Sequence, residues 1–462
     1  MQIHNHTLRK PAWHCAGLIC LAVFSANLAA QAPPENPTAL EQILQRLDRL
    51  EQQNRELVAE VHALRGELAV TRSRPEAKPS QEVEEKLEIQ DRRIEEQAQT
   101  KVESSQHLPI RITGMALFNA FVNSRQTGSV EAPIFAPLQG GAFSGGATLR
   151  QTILGVEFRG PEMVGGGRIS GSLNMDFFGG SGEPYDSLFR IRTAALRVDW
   201  KTTSIMFGQD KPLIAPREPN SLAQVGISPL SGAGNLWLWQ PQARVEQRIN
   251  LDSHTTLRAQ VGIFQTREDY GYVPPVYASS LQDQRPALQG RFSLSHSLDD
   301  ERRIELGSGF HTSTSHFAGF TVPSRVFALD WFANPWRKLE FSGAFFRGEN
   351  LANLGGIGQG ITIVKQSDEY YVIPVHAEGG WTQLSLIVTP RLSFNLFGGL
   401  QDNRNRDILY GVARNMSYAA NLMYRLAPNV MLSFESGQVR TDYLNRGIRL
   451  NNHNDLGLAY LF

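Results

Sequence analysis

Charged side chains at every second position carry most of the chemical content of this sequence. Gln242, Arg244, Glu246 and Arg248 alternate with Ala243, Val245 and Ile249, and Arg258 and Gln260 alternate with Leu257, Ala259, Val261 and Ile263. Arg168 and Asp176 share a parity opposite Ile169, Leu173, Met175 and Phe177, while Arg190, Arg192 and Arg291 stand in comparable runs. An extended chain sends successive side chains to opposite faces, so each run has a charged face and an apolar one. A guanidinium keeps its charge and offers a planar fork to carboxylate or phosphate, and a ring of them around an aqueous path favours anions. The same residues admit a second reading, in which Arg244, Glu246 and Arg248 pair with neighbouring acids and only brace a wall. Glu157, Glu305, Asp330 and Glu435 share the charged parity and would supply such partners.

Nothing in the sequence arranges these groups for bond-making chemistry. Ser, His and Asp occur, but no Gly-x-Ser-x-Gly elbow, His-Glu-x-x-His, Cys-x-x-Cys or phosphate-loop pattern places them. No catalytic residue, metal site or cofactor is expected, and no basic run suggests nucleic acid. Gly355-Gly356-Ile357-Gly358-Gln359-Gly360 lacks the strand-to-helix context of a phosphate loop and reads as a flexible loop tip.

The elements that carry the charged faces run from about 108 to 462. Alternating segments cut by turns such as Lys201-Thr202, Leu298-Asp299-Asp300, Asn334-Pro335, Thr389-Pro390 and Ala427-Pro428-Asn429 give about 16 strands, within two. Strand 4 changes parity between Arg192 and Arg197, which a β-bulge near Ala194 would reconcile. Charge facing lipid at mid-bilayer costs roughly 2–4 kcal/mol for Arg, so the apolar face belongs outside and the charged face inside, around water. The expected fold class is an all-β transmembrane barrel of antiparallel strands. Short turns would lie at the periplasmic end and long loops, at 123–146, 210–240, 267–285 and 348–377, outside. Trp200, Trp331, Trp336, Tyr418, Tyr424, Tyr460 and Phe462 fall where aromatic girdles belong. A barrel this wide needs narrowing to discriminate between solutes. The loop from Asp210 to Gln240, with Lys211, Arg217 and Glu218 among its charges, is the expected constriction.

Ahead of the barrel, Met1–Ala32 fits a secretory signal, with Arg9 and Lys10 before an apolar stretch and Ala30-Gln31-Ala32 as a cleavage site. Cys15 and Cys20, the only cysteines, lie within it, so no disulfide scaffold is expected in the mature chain. From Leu40 the apolar residues step by three and four: Leu40, Ile43, Leu47, Leu50, Asn54, Leu57, Val61, Leu64 and Leu68. These fill the a and d positions of an α-helical N-terminal coiled coil over 33–74, with Asn54 the polar a residue that fixes register. Such a seam needs partner copies. Pro75 and Pro79 end it, and 75–107 is a charged linker or second helical segment. Residues 33–105 hold 16 acids against 11 bases, whereas 106–462 hold 29 acids against 32 bases.

The heptads at 40–68, Phe207-Gly208-Gln209-Asp210 entering the long loop, and Gln240-Pro241-Gln242-Ala243-Arg244 leaving it resemble the DcaP-like trimeric outer-membrane porins, relatives of the phosphate-selective porins O and P. The terminal Phe462 matches the barrel end read by the assembly machinery. The resemblance implies a homotrimer of sixteen-stranded barrels among outer-membrane lipids, a stalk in the periplasm, and passive uptake of small, often anionic, solutes. The lysine ladder of the phosphate porins is missing, since Lys201, Lys211, Lys338 and Lys365 are the barrel's only lysines. The alternative is a structural tether with a plugged barrel whose stalk contacts peptidoglycan.

Overall fold

The computed structural model describes residues 110–125, 128–139, 141–180, 187–266, 285–317, 319–366 and 369–462, together with Gln52 and Ala59. Of the expected coiled coil only those two residues are described, both helical and exposed, and neither belongs to the a/d seam. The seam itself, the signal and the 75–107 segment lie outside the described residues.

The strands are β1 (Ile110–Asn123), β2 in two pieces (Ser144–Thr148 and Ile153–Met163), β3 (Gly167–Gly179), β4 (Leu188–Asp199), β5 (Thr203–Asp210), β6 (Gln240–Asn250), β7 (Thr255–Gln265) and β8 (Pro286–Ser297). They continue as β9 (Arg303–Phe317), β10 (Phe320–Trp336), β11 (Leu339–Glu349), β12 (His376–Thr389), β13 (Leu392–Asn403), β14 (Val412–Ala427), β15 (Val430–Tyr443) and β16 (Gly447–Leu461). Each pairs antiparallel with its sequence neighbours, and β1 pairs with β16 from Met115↔Leu461 to Asn123↔His453, closing the barrel. Both pieces of β2 lie along β1, so the 17 strand segments of the sheet make 16 barrel strands. At the closure Gly114 and Phe462 exchange backbone hydrogen bonds of 2.9 and 3.1 Å.

The alternation sorts as its chemistry requires. Phe207, Phe292, Leu306, Leu396, Phe434 and Leu458 are exposed, while Asn119, Asp176, Gln289, Arg291, Gln383, Asn421 and Asp455 are buried. In a soluble sheet those classes would be exchanged. An apolar outside and a polar, hydrogen-bonded inside is the transmembrane solution, and closure leaves no strand edge unpaired in lipid. The register of β4 against β3 jumps from Thr193↔Asn174 to Ile191↔Met175. Arg192 is therefore the bulged residue, and Arg190, Arg192 and Arg197 all come to face inward.

The β2–β3, β4–β5, β6–β7, β8–β9, β10–β11, β12–β13 and β14–β15 turns form the short-turn end. Asp252 and Asp299 shape two of them. The Asp252 carboxylate accepts from the amides of His254 (2.7 Å) and Thr255 (2.6 Å), and the His254 amide leads in holding its pKa below the usual range. Asp299 is lowered first by the Arg302 guanidinium at 2.8 Å.

Two strands run further than their apolar residues, and one expectation needs correction. The β9–β10 connection is strand on both sides of residues 318–319. Ser313 and Ser315 face in while Thr312 and Thr314 face out, so the β pattern continues past where the apolar residues end. β16 likewise begins at Gly447, well ahead of its alternating Leu456, Leu458 and Tyr460. The glycine run at 355–360 is not a loop tip, since Ile357 and Gln359 within it are buried. Gly355 has φ 81° and packs so close to the loop before β6 that a Cβ would lie 2.1 Å from the Trp237 carbonyl oxygen. Here glycine permits close approach rather than mobility. A hairpin, Ile361–Gln366 with Glu369–Pro374, follows within the same connection.

Candidate functional site

The 211–239 loop lies inside the barrel. Its apolar residues reach the wall at separate places around the circumference: Leu213 with Phe264 and Ala287, Ile214 and Leu236 with Val326 and Phe346, Leu222 with Met115, Leu117 and Ala459, and Leu230 with Trp381 and Phe397. Between these anchors, inward-facing amides hold its backbone. Gln289 accepts from the Leu213 amide (2.8 Å) and Gln383 from the Asn220 amide (2.7 Å). Asn421 donates to the Asn220 carbonyl (2.9 Å), Asn119 to Leu222 (2.8 Å) and Asn415 to Gly232 (3.1 Å). Gln151, fully buried in the break of β2, donates to the Ala223 carbonyl (2.8 Å) and accepts from the amides of Val225 (2.6 Å) and Gly226 (2.8 Å). Backbone groups of a loop inside a barrel need such partners. Inward uncharged amides on β1 and β12–β14, less conspicuous than the arginines, are the sequence sign of this docking.

The loop also meets the wall without side chains between. Gly234 has φ 104°, and a Cβ there would lie 2.1 Å from the Gly380 carbonyl oxygen, while one on Gly399 would lie 2.5 Å from that of Ala233. Described parts of the β1–β2 and β11–β12 loops, around Ala136 and Ile357, turn inward as well. The Ala136 amide donates to Thr441 (2.9 Å), and that of Ile357 to Gln401 (3.0 Å).

The charged residues read from alternation face the interior, and each basic one has an acid beside it. Asp176 accepts from Arg190 (2.7 Å) and Arg192 (3.0 Å). Those two guanidinia also donate to the loop carbonyls of Gly226 (2.5 Å) and Val225 (2.7 Å), and both lie over the Trp239 ring. Arg217, on the loop, joins Glu305 (2.7 Å) and Asp330 (3.4 Å), which Arg291 also holds at 3.0 and 2.8 Å. This quartet of two cations and two anions ties the loop to β8, β9 and β10. Lys211 pairs with Glu218 (2.6 Å) and Arg244 with Asp210 (2.9 Å), and Gln242 donates to the carbonyls of Asp210 and Lys211. Glu246 serves both Arg248 (3.7 Å) and Arg258 (3.5 Å) and accepts from Gln260 (2.9 Å). Arg168 stands apart at the short-turn rim, 3.7 Å from Glu162, both largely exposed. Glu435 accepts from Ser221 of the loop (2.5 Å), opposite Asp455 on β16. Most of the arginines thus brace the wall and the loop. What distinguishes the set is the excess: two guanidinia share Asp176, and two share Glu246.

No family model and no curated protein matches the sequence. Among solved structures, the outer membrane channel DcaP of Acinetobacter baumannii superposes with a TM-score of 0.62 at 15% identity, over 76% of this chain and 97% of that one. An anion-selective porin from Comamonas acidovorans follows at a TM-score of 0.52 and 12% identity, over 76% and 99%. The likeness to DcaP-type channels read from the loop flanks is matched in the architecture, and the fold of this chain is that of the outer-membrane porin barrels.

Proposed function

We propose that the protein is an outer-membrane porin that lets small hydrophilic solutes, anions preferentially, diffuse through a lumen narrowed by the 211–239 loop. The observation that carries this reading is the docked loop itself. It is held by side chains from β1, β2, β8, β12, β14 and β15, and ordered loops of this length inside a barrel are usually functional. The anion preference rests on the surplus of guanidinium over carboxylate along the inner wall of β3–β7. Single-channel recording in a planar bilayer tests both parts. Ohmic steps with an anion-selective reversal potential across a KCl gradient are expected.

The reading includes a homotrimer. Tyr418 donates to Gln438 (2.7 Å), and Gln438 to Asn452 (2.7 Å), on the outer face of β14–β16, with Ser436 and Asn454 beside them. Polar groups facing hydrocarbon are expensive, so a second copy of the chain is the economical cover. The stalk would then gather three chains in the periplasm, and Phe462, paired to Gly114 at the closure, would be the end presented to the barrel assembly machinery. The inward turn of three outer loops favours one competitor, a plugged barrel that tethers the outer membrane to peptidoglycan. Silent insertions of confirmed oligomers would establish it.

A further inference from the structure

We infer that the lumen holds a small-oxyanion site below the loop, at the short-turn end, built by Arg111, Arg159 and Arg197 with the Ser170 hydroxyl. This site is separate from the paired arginines around the loop. It rests on the open-pore reading above. None of these three arginines has a hydrogen bond or ion pair among the described residues, unlike every basic lumen residue discussed so far. They line, with Ser170 and Ser172, one cavity of about 730 Å³ on the inner wall of β1–β4.

The register brings them together. Arg159 pairs across to Ser170, and Ser170 to Arg197, so a hydroxyl lies between two guanidinia on one rung. Neighbouring strands are about 4.8 Å apart, which puts the two arginine backbones roughly 10 Å from each other. Side chains of that length converge on a tetrahedral or carboxylate anion held midway. Arg111 enters from the adjoining rung, where it faces Glu157. Asp199, which accepts from the Ser204 hydroxyl, also lines the cavity, and two carboxylates against three cations leave it basic. Guanidinium forks bind oxyanions through paired charge-assisted hydrogen bonds, and Ser170 adds a donor at the centre. The wet surroundings keep the site weak enough to release its ion, as conduction requires.

The test uses the full-length protein in planar bilayers, with inorganic sulfate added on either side of an established chloride current. Sulfate entering from the short-turn side is expected to block that current in a voltage-dependent manner. The Arg159→Ala, Arg197→Ala double variant should weaken the block at least about tenfold, in line with two lost charge-assisted bonds in a wet site, and move the reversal potential towards zero. An Arg159→Lys, Arg197→Lys variant keeps the charge and loses the fork, so it should keep the reversal potential while the block weakens. Arg337→Ala, in the exposed β10–β11 turn, is the control and should change neither. Channels that conduct but show equal sulfate block in wild type and the double alanine variant would overturn the site and leave the porin standing. Silent insertions would overturn the porin and the site together.

Discussion

Replacing Gln151 by Leu isolates the contribution of one side chain to loop docking. Leucine has nearly the same bulk, and residue 151 lies in the interruption of β2, outside the ladder to β1. The substitution removes three hydrogen bonds to the loop, with Ala223, Val225 and Gly226, and a fourth to Asn119 at 3.1 Å. Each neutral bond contributes about 0.5–1.5 kcal/mol net, and a stranded buried partner raises the cost. Water in the lumen can reach part of what is exposed, so the loss in docking free energy is about 2–4 kcal/mol. At tenfold per 1.4 kcal/mol, the undocked fraction rises about 30- to 1,000-fold.

Hydrogen exchange in detergent micelles reads this directly. The Val225 and Gly226 amides should lose protection by that factor. If the loop leaves the wall as a unit, the amides of Leu213 and Asn220, which rest on Gln289 and Gln383, accelerate with them. Arg190 and Arg192 still hold the carbonyls of Gly226 and Val225, so undocking stays transient and appears in bilayers as current noise. The melting temperature of the barrel should stay close to wild type. Unchanged exchange at Val225 and Gly226 would refute the clasp, and loss of the whole barrel would refute the separation of loop from wall.

Three further outcomes are expected. Gly234→Ala adds a Cβ against the Gly380 carbonyl at a φ of 104°, which should push the loop from β12 and β13 and raise current noise without lowering assembly. Arg217→Ala leaves Glu305 and Asp330 to Arg291 alone; since the quartet is wet on the loop side, the loss should be about 1–3 kcal/mol, seen as a lower unfolding temperature in SDS together with weaker anion preference. With Cys15 and Cys20, the only cysteines of the sequence, replaced by Ser, Asn454→Cys should cross-link between subunits with a bismaleimide if β14–β16 face a second copy, whereas Phe292→Cys on the lipid face should not.

How far the sequence could be read follows from what alternation encodes. It tells the face on which a side chain stands, so the strands from β1 to β16 and the inward arginines were visible as soon as Arg190, Arg244 and Arg258 were set against their apolar neighbours. It also tells where polarity changes, which is how the bulge was located within two residues of Arg192. It does not tell the rung. Arg244 meets Asp210 because a thirty-residue excursion returns the chain beside β5, and Arg217 meets Asp330 only because that excursion turns inward. The second contact exists in no pairing of neighbouring segments, and the first depends on the register the long excursion sets between β5 and β6. The same limit hid Arg111, Arg159 and Arg197. Their parity was legible, but their lack of partners depends on which residues share their rungs. Two residues along β4 from Arg197 stands Asp199, which faces Arg168. A slip of two residues between β2, β3 and β4 would keep every side chain on its face and set Asp199 on the rung of Arg159. The short Val164–Gly166 and 200–202 turns forbid that slip. The free positive charge is therefore a property of two tight turns as much as of the arginines themselves.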